Sequence, residues 1–232
     1  MATQYPTGIN EQLATILGLL EKIDRLHSSA SLQQEIENIL GRQITLELDR
    51  AIPWHQGHSR RTADLALRMG KRLGLSVGNL RHLKLASLLH DIGLLTLPTH
   101  LFFSCLNLDT EAYTAVQCHP RIGAELLEMF HFLREAAVIV AHHHERWDGT
   151  GYPYGLRSRF IPFGARILSV ADAFDSIEVP GAHNGSTRDR VARRIIRTAA
   201  GTQFDPAVVD ALEHVLMSQD WTNRELQGGE RD

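Results

Sequence analysis

The sequence has 232 residues, 43% of them hydrophobic and 22% charged, which is enough to bury an ordinary globular core. Its net charge of −3 argues against extended binding to DNA or RNA, because proteins that bind the phosphate backbone are usually basic. The polar first ten residues, and the lack of any apolar run that could span a bilayer, favour a cytoplasmic protein over a secreted or membrane one.

Apolar residues at helical spacing predict two helices within residues 1–50. The first follows Asn10 and the second starts at Ser31. The apolar positions are Leu13, Ile16, Leu17, Leu20 and Ile23 in the first helix, and Leu32, Ile36, Leu40 and Ile44 in the second. This N-terminal segment has no residues with recognisable chemistry. It is either packing and support for the rest of the chain, or a helix pair for dimerisation or signal input over residues 10–50.

Helical periodicity continues through residues 51–220, and no strand of convincing length appears, so we predict an all-α helical bundle. Helices are expected from 58 to 74, from Asn79 as N-cap to 91, from 109 or 110, from 122 after a break near Pro120, and over 133–145, 162–177, 188–200 and 206–218. A loop rich in Gly, Pro and Tyr covers residues 147–162. Residues 221–232 are predicted to form a polar, frayed tail.

The pair His90-Asp91 follows a strongly apolar run, which places it at the inner end of a buried helix. Burying a carboxylate and an imidazole is costly without a partner, and a metal ion is a strong partner. A carboxylate can bridge two ions while the neighbouring imidazole binds one. Taken alone, the pair would also fit a surface position or a histidine satisfied by its neighbour.

Three consecutive histidines, from His142 to His144, end the most apolar predicted helix. A helix C-terminus attracts cations, which would explain one histidine but not three. One of the three should point away, and His143 and His144 are then candidate metal ligands. Asp148 follows in the loop.

Asp172 lies inside an apolar stretch, so it needs a metal ion, Arg166 or a helix cap as its partner. His58 and His119 are weaker candidates, because each sits near a Gly or Pro at a plausible helix end. Ligands on several helices can converge in the core of a bundle. Oxygen and imidazole ligands without thiolates suit iron, manganese or another hard-to-borderline ion.

Together these motifs resemble the HD-GYP domain, the bacterial signalling branch of the HD phosphohydrolase superfamily that hydrolyses cyclic di-GMP. The resemblance covers about residues 50 to 218 in the family's order. It rests on residues 58–61 (HSRR), 90–93 (HDIG), His119, 143–153 (HHERWDGTGYP), 170–175 (VADAFD) and 201–206 (GTQFDP).

The resemblance implies an all-α fold with two or three metal ions, usually iron or manganese. His58, His90, Asp91 and Asp172 would hold one ion. His119, His143 and His144 would hold the second, with Asp91 as the bridge. Members with three ions carry a Glu four residues before the first His. That position is Trp54 here, so the resemblance implies two divalent ions.

Two departures from the family pattern concern substrate binding. The family usually has a Lys after the His-Asp-Ile-Gly motif, where this chain has Leu94. It also usually has an arginine-containing stretch after the Val-Ala-Asp motif, and residues 179–183 here read Val-Pro-Gly-Ala-His. Arg146, Arg157, Arg159 or Arg188 are the candidates to compensate.

The implied activity is hydrolysis of cyclic di-GMP to pGpG or GMP. The nucleophile would be a hydroxide that bridges the two metal ions, which Asp91 also bridges. Arg146, Asp148 and Tyr152 are candidate substrate contacts. The motif Gly151-Tyr152-Pro153 would wall the pocket, and in the family it is linked to protein partners. Two alternatives stay open: a weakened sensor or adaptor that binds metal and signals through protein contacts, and an HD-type hydrolase of another nucleotide.

Overall fold

The computed structural model describes residues 11–25, 30–52, 55–98, 110–177 and 185–218. Within these ranges the chain is helical, and its one β-bridge joins Ala200 to Phe204. The prediction of an all-α bundle is confirmed. The α-helices are α1 Glu11–Asp24, α2 Ala30–Ala51, α3 His58–Arg72, α4 Val77–Leu89, α5 Thr110–Gln117, α6 His119–Glu128, α7 Arg134–Ala141, α8 Phe163–Ser176, α9 Gly185–Thr198 and α10 Pro206–Leu216.

The centre of the bundle is formed by α3, α4, α7 and α8. Helices α4 and α8 contact each other and both α3 and α7, and α6 packs against α7. Their buried faces are built from Leu, Ile, Val and Ala at helical spacing, as the sequence pattern requires. Short 3-10 turns follow α4 (Ile92–Thr96), precede α7 (His131–Leu133) and lie in the loop before α8 (Ser158–Phe160).

The first two helices pack onto this core rather than standing apart from it. The face of α1 formed by the five apolar residues predicted above is buried, and α1 contacts α2 and the Ile92–Thr96 turn. Helix α2 also contacts α3 and α4. In this chain the apolar face of α1 is thus used for internal packing. Dimerisation or signal input through this segment stays a prediction.

Three local features differ from the sequence predictions. Ser76, not Asn79, caps α4: its hydroxyl accepts a hydrogen bond from the Asn79 amide, 3.2 Å away. Pro120 lies in the first turn of α6 rather than in a break before it, since a helix tolerates proline there. Helix α7 ends at Ala141, so the three histidines lie in the turn that follows it.

Candidate metal centre

The seven candidate metal ligands all come from helix ends or from turns next to them, apart from Asp172 within α8. His58 and His119 are the first residues of α3 and α6. His90 and Asp91 directly follow α4. One compact group contains His58, His90 and Asp91, and a second contains His119, His143 and His144; within each group the potential ligand atoms lie within 4.8 Å of one another.

Asp91 lies between the two groups and faces them with different oxygen atoms. Its Oδ2 atom is 3.2 Å from Nε2 of His90, and its Oδ1 atom is 3.3 Å from Nε2 of His119. Asp172 adds a second carboxylate on the first side, with Oδ1 3.2 Å from Nε2 of His58. This placement suits a carboxylate that contacts two ions at once.

Hydrogen bonds at Nδ1 fix the ring orientations of four of the five candidate histidines. His90, His119 and His143 each donate from Nδ1 to the backbone carbonyl three residues earlier, over 2.9, 2.8 and 2.7 Å. His58 donates from Nδ1 to the Asp175 carboxylate over 2.7 Å. In each ring the Nε2 lone pair then points into the cluster, which is the usual arrangement of metal-binding histidines.

The spacing between the Nε2 atoms fits a metal centre. Nε2 of His58 is 3.2 Å from Nε2 of His90, and Nε2 of His119 is 3.4 Å from Nε2 of His143. Two lone pairs this close repel each other unless a cation or a proton lies between them. Nitrogen ligands about 2.1 Å from one ion are themselves about 3.0–3.4 Å apart. The residues present therefore fit bound metal ions.

Charge is distributed unevenly between the two sides of the cluster. Burial opposes the charged form of His58, but hydrogen bonds to Asp172 and Asp175 outweigh it and raise the His58 pKa to about 10. On the other side, burial and the neighbouring histidines lower the pKa of His144 to about 4 and that of His143 well below its usual range. At neutral pH His143 and His144 are thus ready to bind a cation, whereas His58 must first lose a proton.

This asymmetry gives a testable pH dependence. The raised pKa of His58 means that the ion-free ring holds its proton below about pH 10, and a metal ion binds only the neutral ring. We expect metal affinity to rise by about tenfold per pH unit between pH 6 and 8, with release of at least one proton per chain. Calorimetric titration in buffers of different ionisation enthalpy measures that release. Binding with no proton release and no pH dependence would contradict this expectation.

A pair outside the predicted ligand set holds His58 in place. The Arg61 guanidinium donates to both carboxylate oxygens of Asp175, over 2.7 and 2.9 Å, and Asp175 in turn accepts from His58. Both residues belong to motifs that carry the family resemblance, Asp175 to residues 170–175 and Arg61 to residues 58–61, but neither was predicted to have a role. The position of Asp175 in the VADAFD motif was the available signal.

The Gly-Tyr-Pro loop packs against the second histidine group. The Tyr152 ring lies 4.9 Å from the His144 ring, centroid to centroid, and the bond from Tyr152 to Pro153 is cis. The buried Glu145 carboxylate holds the loop from behind, accepting from the amides of Tyr154 and Leu156 over 2.7 and 2.9 Å. Among the candidate substrate contacts, Tyr152 thus packs directly on one of the candidate ligands, His144.

The other candidate cations are placed differently. Arg146 pairs with Asp148 over 3.1 Å and donates to Thr150, so these residues close a turn of the loop. Arg188 donates to the backbone carbonyls of Phe174, Asp175 and Ile177, so it supplies hydrogen bonds to carbonyl groups at the C-terminal end of α8. Arg157 and Arg159 are exposed.

Among the positions that depart from the family pattern, only Leu94 can be located. It lies in the 3-10 turn directly after Asp91, is 8% exposed and belongs to the apolar core. Trp54, which stands at the third-metal position, lies outside the described residues, and so do residues 178–184. The implication of a two-ion centre stays a prediction.

An all-α bundle that closes over a buried cluster of histidines and aspartates able to hold metal ions is typical of HD domains. The HD domain family model matches residues 44–208, so the chain belongs to this family. Its similarity to curated cyclic dinucleotide phosphodiesterases places it in the HD-GYP group.

Several curated relatives are about a third identical to this chain over the aligned residues. It is 34% identical over 177 residues to the cyclic di-GMP phosphodiesterase response regulator RpfG of Xanthomonas campestris, covering 74% of this chain and 47% of that protein. A cyclic di-GMP phosphodiesterase of Thermotoga maritima is 32% identical, with 76% and 47% covered. A 3'3'-cGAMP-specific phosphodiesterase of Vibrio cholerae is 32% identical, with 68% and 31% covered. The chain thus spans about half of these relatives or less.

Solved structures confirm the fold. Bd1817, an HD-GYP-type protein of Bdellovibrio bacteriovorus, has a TM-score of 0.59 at 19% identity, covering 93% of this chain and 75% of that one. A cyclic GMP-AMP specific phosphodiesterase of V. cholerae has a TM-score of 0.56 at 18% identity, covering 93% and 53%. Among the described residues, no helix combines the length and the hydrophobicity needed to span a lipid bilayer.

Proposed function

We propose that this chain is a metal-dependent phosphodiesterase that hydrolyses cyclic di-GMP. The observation that carries the proposal is the convergence of two buried imidazole groups on the two oxygens of Asp91. The relatives described above, named as cyclic dinucleotide phosphodiesterases, support the substrate class. The proposed ligands are His58, His90, Asp91 and Asp172 for one ion and His119, His143, His144 and Asp91 for the other.

Two ions of iron or manganese held here would activate a water molecule as the nucleophile and neutralise charge on the substrate phosphate. The protein's own part is positioning. Asp91 and Asp172 supply the negative charge that balances the ions. The Nδ1 hydrogen bonds keep Nε2 aimed at the cluster in four of the five histidines, namely His58, His90, His119 and His143. Tyr152, packed on the His144 ring, forms a wall on which a guanine base could lie.

The proposal is tested with protein purified without oxygen, loaded with iron or manganese, and given a panel of nucleotides. The panel contains cyclic di-GMP, 3'3'-cGAMP, cyclic di-AMP, pGpG and GTP, and chromatography follows the products. We expect cyclic di-GMP to be cleaved faster than the others, with pGpG or GMP as product. Preferred cleavage of 3'3'-cGAMP would change the substrate but keep the reaction class. Cleavage of GTP alone would indicate an HD-type hydrolase of another nucleotide.

A second candidate function is a sensor or adaptor that binds metal and signals through protein contacts, either through the Gly-Tyr-Pro loop or through residues 10–50. The observation that favours it is the apolar, buried Leu94 where relatives usually have a Lys. The pairing of Arg146 with Asp148 also leaves less free positive charge next to the loop. Under this function the metal-loaded protein would bind cyclic di-GMP without cleaving it.

Leu94→Lys separates the two functions. One charge-assisted hydrogen bond to substrate phosphate contributes about 1.5–3 kcal/mol, so kcat/KM should rise by roughly ten- to a hundredfold if the site is catalytic. Because Leu94 is buried, the lysine should also lower the free energy of unfolding by about 2 kcal/mol. Leu94→Met is the matched control, since it keeps the apolar contacts and adds no charge.

The readouts are kcat/KM for cyclic di-GMP and thermal unfolding of the metal-loaded variants. A folded, metal-loaded Leu94→Lys protein with no gain over Leu94→Met would favour the sensor. If the wild-type protein already hydrolyses cyclic di-GMP rapidly, the natural Leu94 does not limit activity. The expectation that the missing lysine weakens catalysis would then be wrong.

A further inference from the structure

His55 lies beside the metal cluster, although no sequence motif singled it out. It is 1% exposed, and its Nε2 atom is 3.1 Å from Oδ2 of Asp91. Its ring centroid is 4.8 Å from that of His58. The backbone is fixed on both sides, because the His55 amide donates to the Ile52 carbonyl and the His55 carbonyl accepts from the His58 amide. His55 thus approaches the side of Asp91 that also faces His90.

Asp49 at the end of α2 holds the other side of this ring. Its Oδ1 atom lies 3.4 Å from Nδ1 of His55 and also accepts a hydrogen bond from the Gly57 amide over 3.1 Å. His55 therefore repeats the arrangement of the four histidines described above, with Nδ1 facing an acceptor and Nε2 facing the cluster. A carboxylate behind a histidine is a common support for a metal ligand.

A carboxylate oxygen faces each of the two ring nitrogens of His55, and a neutral ring cannot donate a hydrogen bond to both. A neutral imidazole has one N–H, so only one of the two facing carboxylates can accept a hydrogen bond from it. With the proton on Nδ1 toward Asp49, the Nε2 lone pair faces the Asp91 oxygen. A cation between these two atoms removes the repulsion.

We propose that His55 is a further ligand of the metal centre, bound through Nε2 to the ion held by His58 and His90, and that Asp49 is its positioning residue. The inference rests on the metal centre of the proposed function. It gives five side chains to the ion on this side, counting Asp91 and Asp172, against four on the other. The ion next to His55 should be the more firmly held, and α2 becomes part of the support of the site.

The test measures metal binding rather than turnover. Wild type, His55→Ala, His55→Gln, Asp49→Asn and the control His214→Ala are stripped with chelator and titrated with cobalt(II). Metal analysis gives the number of ions retained, and visible absorption reports the ligands of each ion. The control removes an exposed imidazole on α10 that bonds only to the Asp210 carbonyl among the contacts described.

We expect His55→Ala to weaken retention of one of the two ions by at least about tenfold and to change its cobalt spectrum, while the other ion is unaffected. Asp49→Asn should weaken the same ion by about tenfold, and the control should match wild type. His55→Gln guards against a folding defect, since it keeps most of the side-chain volume. The rise in melting temperature on metal addition should shrink in His55→Ala, even if the ion-free proteins melt alike.

Each outcome decides a different claim. If wild type binds two ions and His55→Ala binds both with unchanged affinity and spectrum, His55 is no ligand and the proposed function stands. If His55→Gln restores both affinity and spectrum, the residue acts only as a hydrogen-bond donor to Asp91, which overturns the inference. If wild type binds no metal even after reconstitution, the inference and the proposed metal centre fall together.

Discussion

Replacement of Asp91 by alanine is expected to remove the metal ions and the hydrolytic activity together. Asp91 is the one carboxylate that faces both imidazole groups among the described residues, over 3.2 Å to His90 and 3.3 Å to His119. Losing it leaves buried histidines without their counter-charge and both ions without a shared ligand. We expect activity on cyclic di-GMP to fall by more than the roughly 10²–10³-fold that loss of one preorganised donor causes in other enzymes.

The Asp91→Ala protein is measured by elemental analysis after anaerobic reconstitution and by hydrolysis of cyclic di-GMP. Wild type should carry up to two iron or manganese ions per chain. Asp91→Asn, which keeps the shape of the side chain but not its charge, should lose most of the metal as well. Asp210→Asn, an exposed substitution on α10, is the control and should bind metal like wild type. An Asp91→Ala protein with undiminished metal content would remove the bridging role.

The same change should lower the stability of the ion-free protein. Burial opposes charge on His90, but Asp91 outweighs burial and raises the His90 pKa, so the folded ring binds its proton more tightly than the unfolded one. Such a group stabilises the fold fully below its unfolded pKa near 6.5, and this contribution is lost as pH rises through the folded value. Without Asp91 most of that contribution is lost. The Asp91 carboxyl, whose pKa is lowered well below its ordinary value near 4, stabilises the fold above that value and stops doing so as pH falls further. The difference in melting temperature between variant and wild type should therefore be largest between about pH 4 and 6.5.

The sequence predicted the helices well because their apolar residues repeat at helical spacing. The start of α10 is an example: a helix was predicted from residue 206, and in the structure Asp205 caps the helix and Pro206 opens it, both residue types that favour a helix start. Helix ends were less accurate where two local signals competed. Ser76 and Asn79 are both good capping residues, and only the backbone path shows that the Ser76 hydroxyl receives the amide hydrogen bond.

The sequence predicted which residues form the candidate site. It did not predict the neighbouring side chains that hold those residues in position. His58 and His119 are unremarkable singly, and the order of the family motifs was needed to include them. His55 lies outside those motifs and has no such signal. Asp175 belongs to the VADAFD motif, but its role depends on distances between segments far apart in the chain. Asp175 lies 117 positions from His58 and yet 2.7 Å from its ring. Periodicity within one helix carries no information on such contacts.

Gly93→Ala is expected to disrupt the fold and the metal centre at once. A Cβ atom at position 93 would lie 2.1 Å from the His119 carbonyl oxygen and 2.8 Å from the Gly123 amide nitrogen. Both are backbone atoms of α6, so no side-chain rotation can relieve the contact. The turn after Asp91 and the start of α6 would have to separate, and His119 would move with α6. We expect a loss of about 3 kcal/mol or more in the free energy of unfolding, the upper end for added atoms in a packed core.

Gly78→Ala is the matched control, because the same added methyl group meets almost nothing there. Gly78 is exposed in α4, and its nearest neighbour would be the Ser76 hydroxyl at 4.0 Å. Alanine favours helix over glycine by up to about 1 kcal/mol, so this variant should be as stable as wild type or more so. Chemical denaturation measures both proteins, and metal analysis should show Gly93→Ala losing the ion bound by His119. A Gly93→Ala protein that unfolds like wild type and keeps both ions would mean that α6 and the 92–96 turn separate easily. In that case the glycine of the His-Asp-Ile-Gly motif does not set the distance between the two halves of the centre.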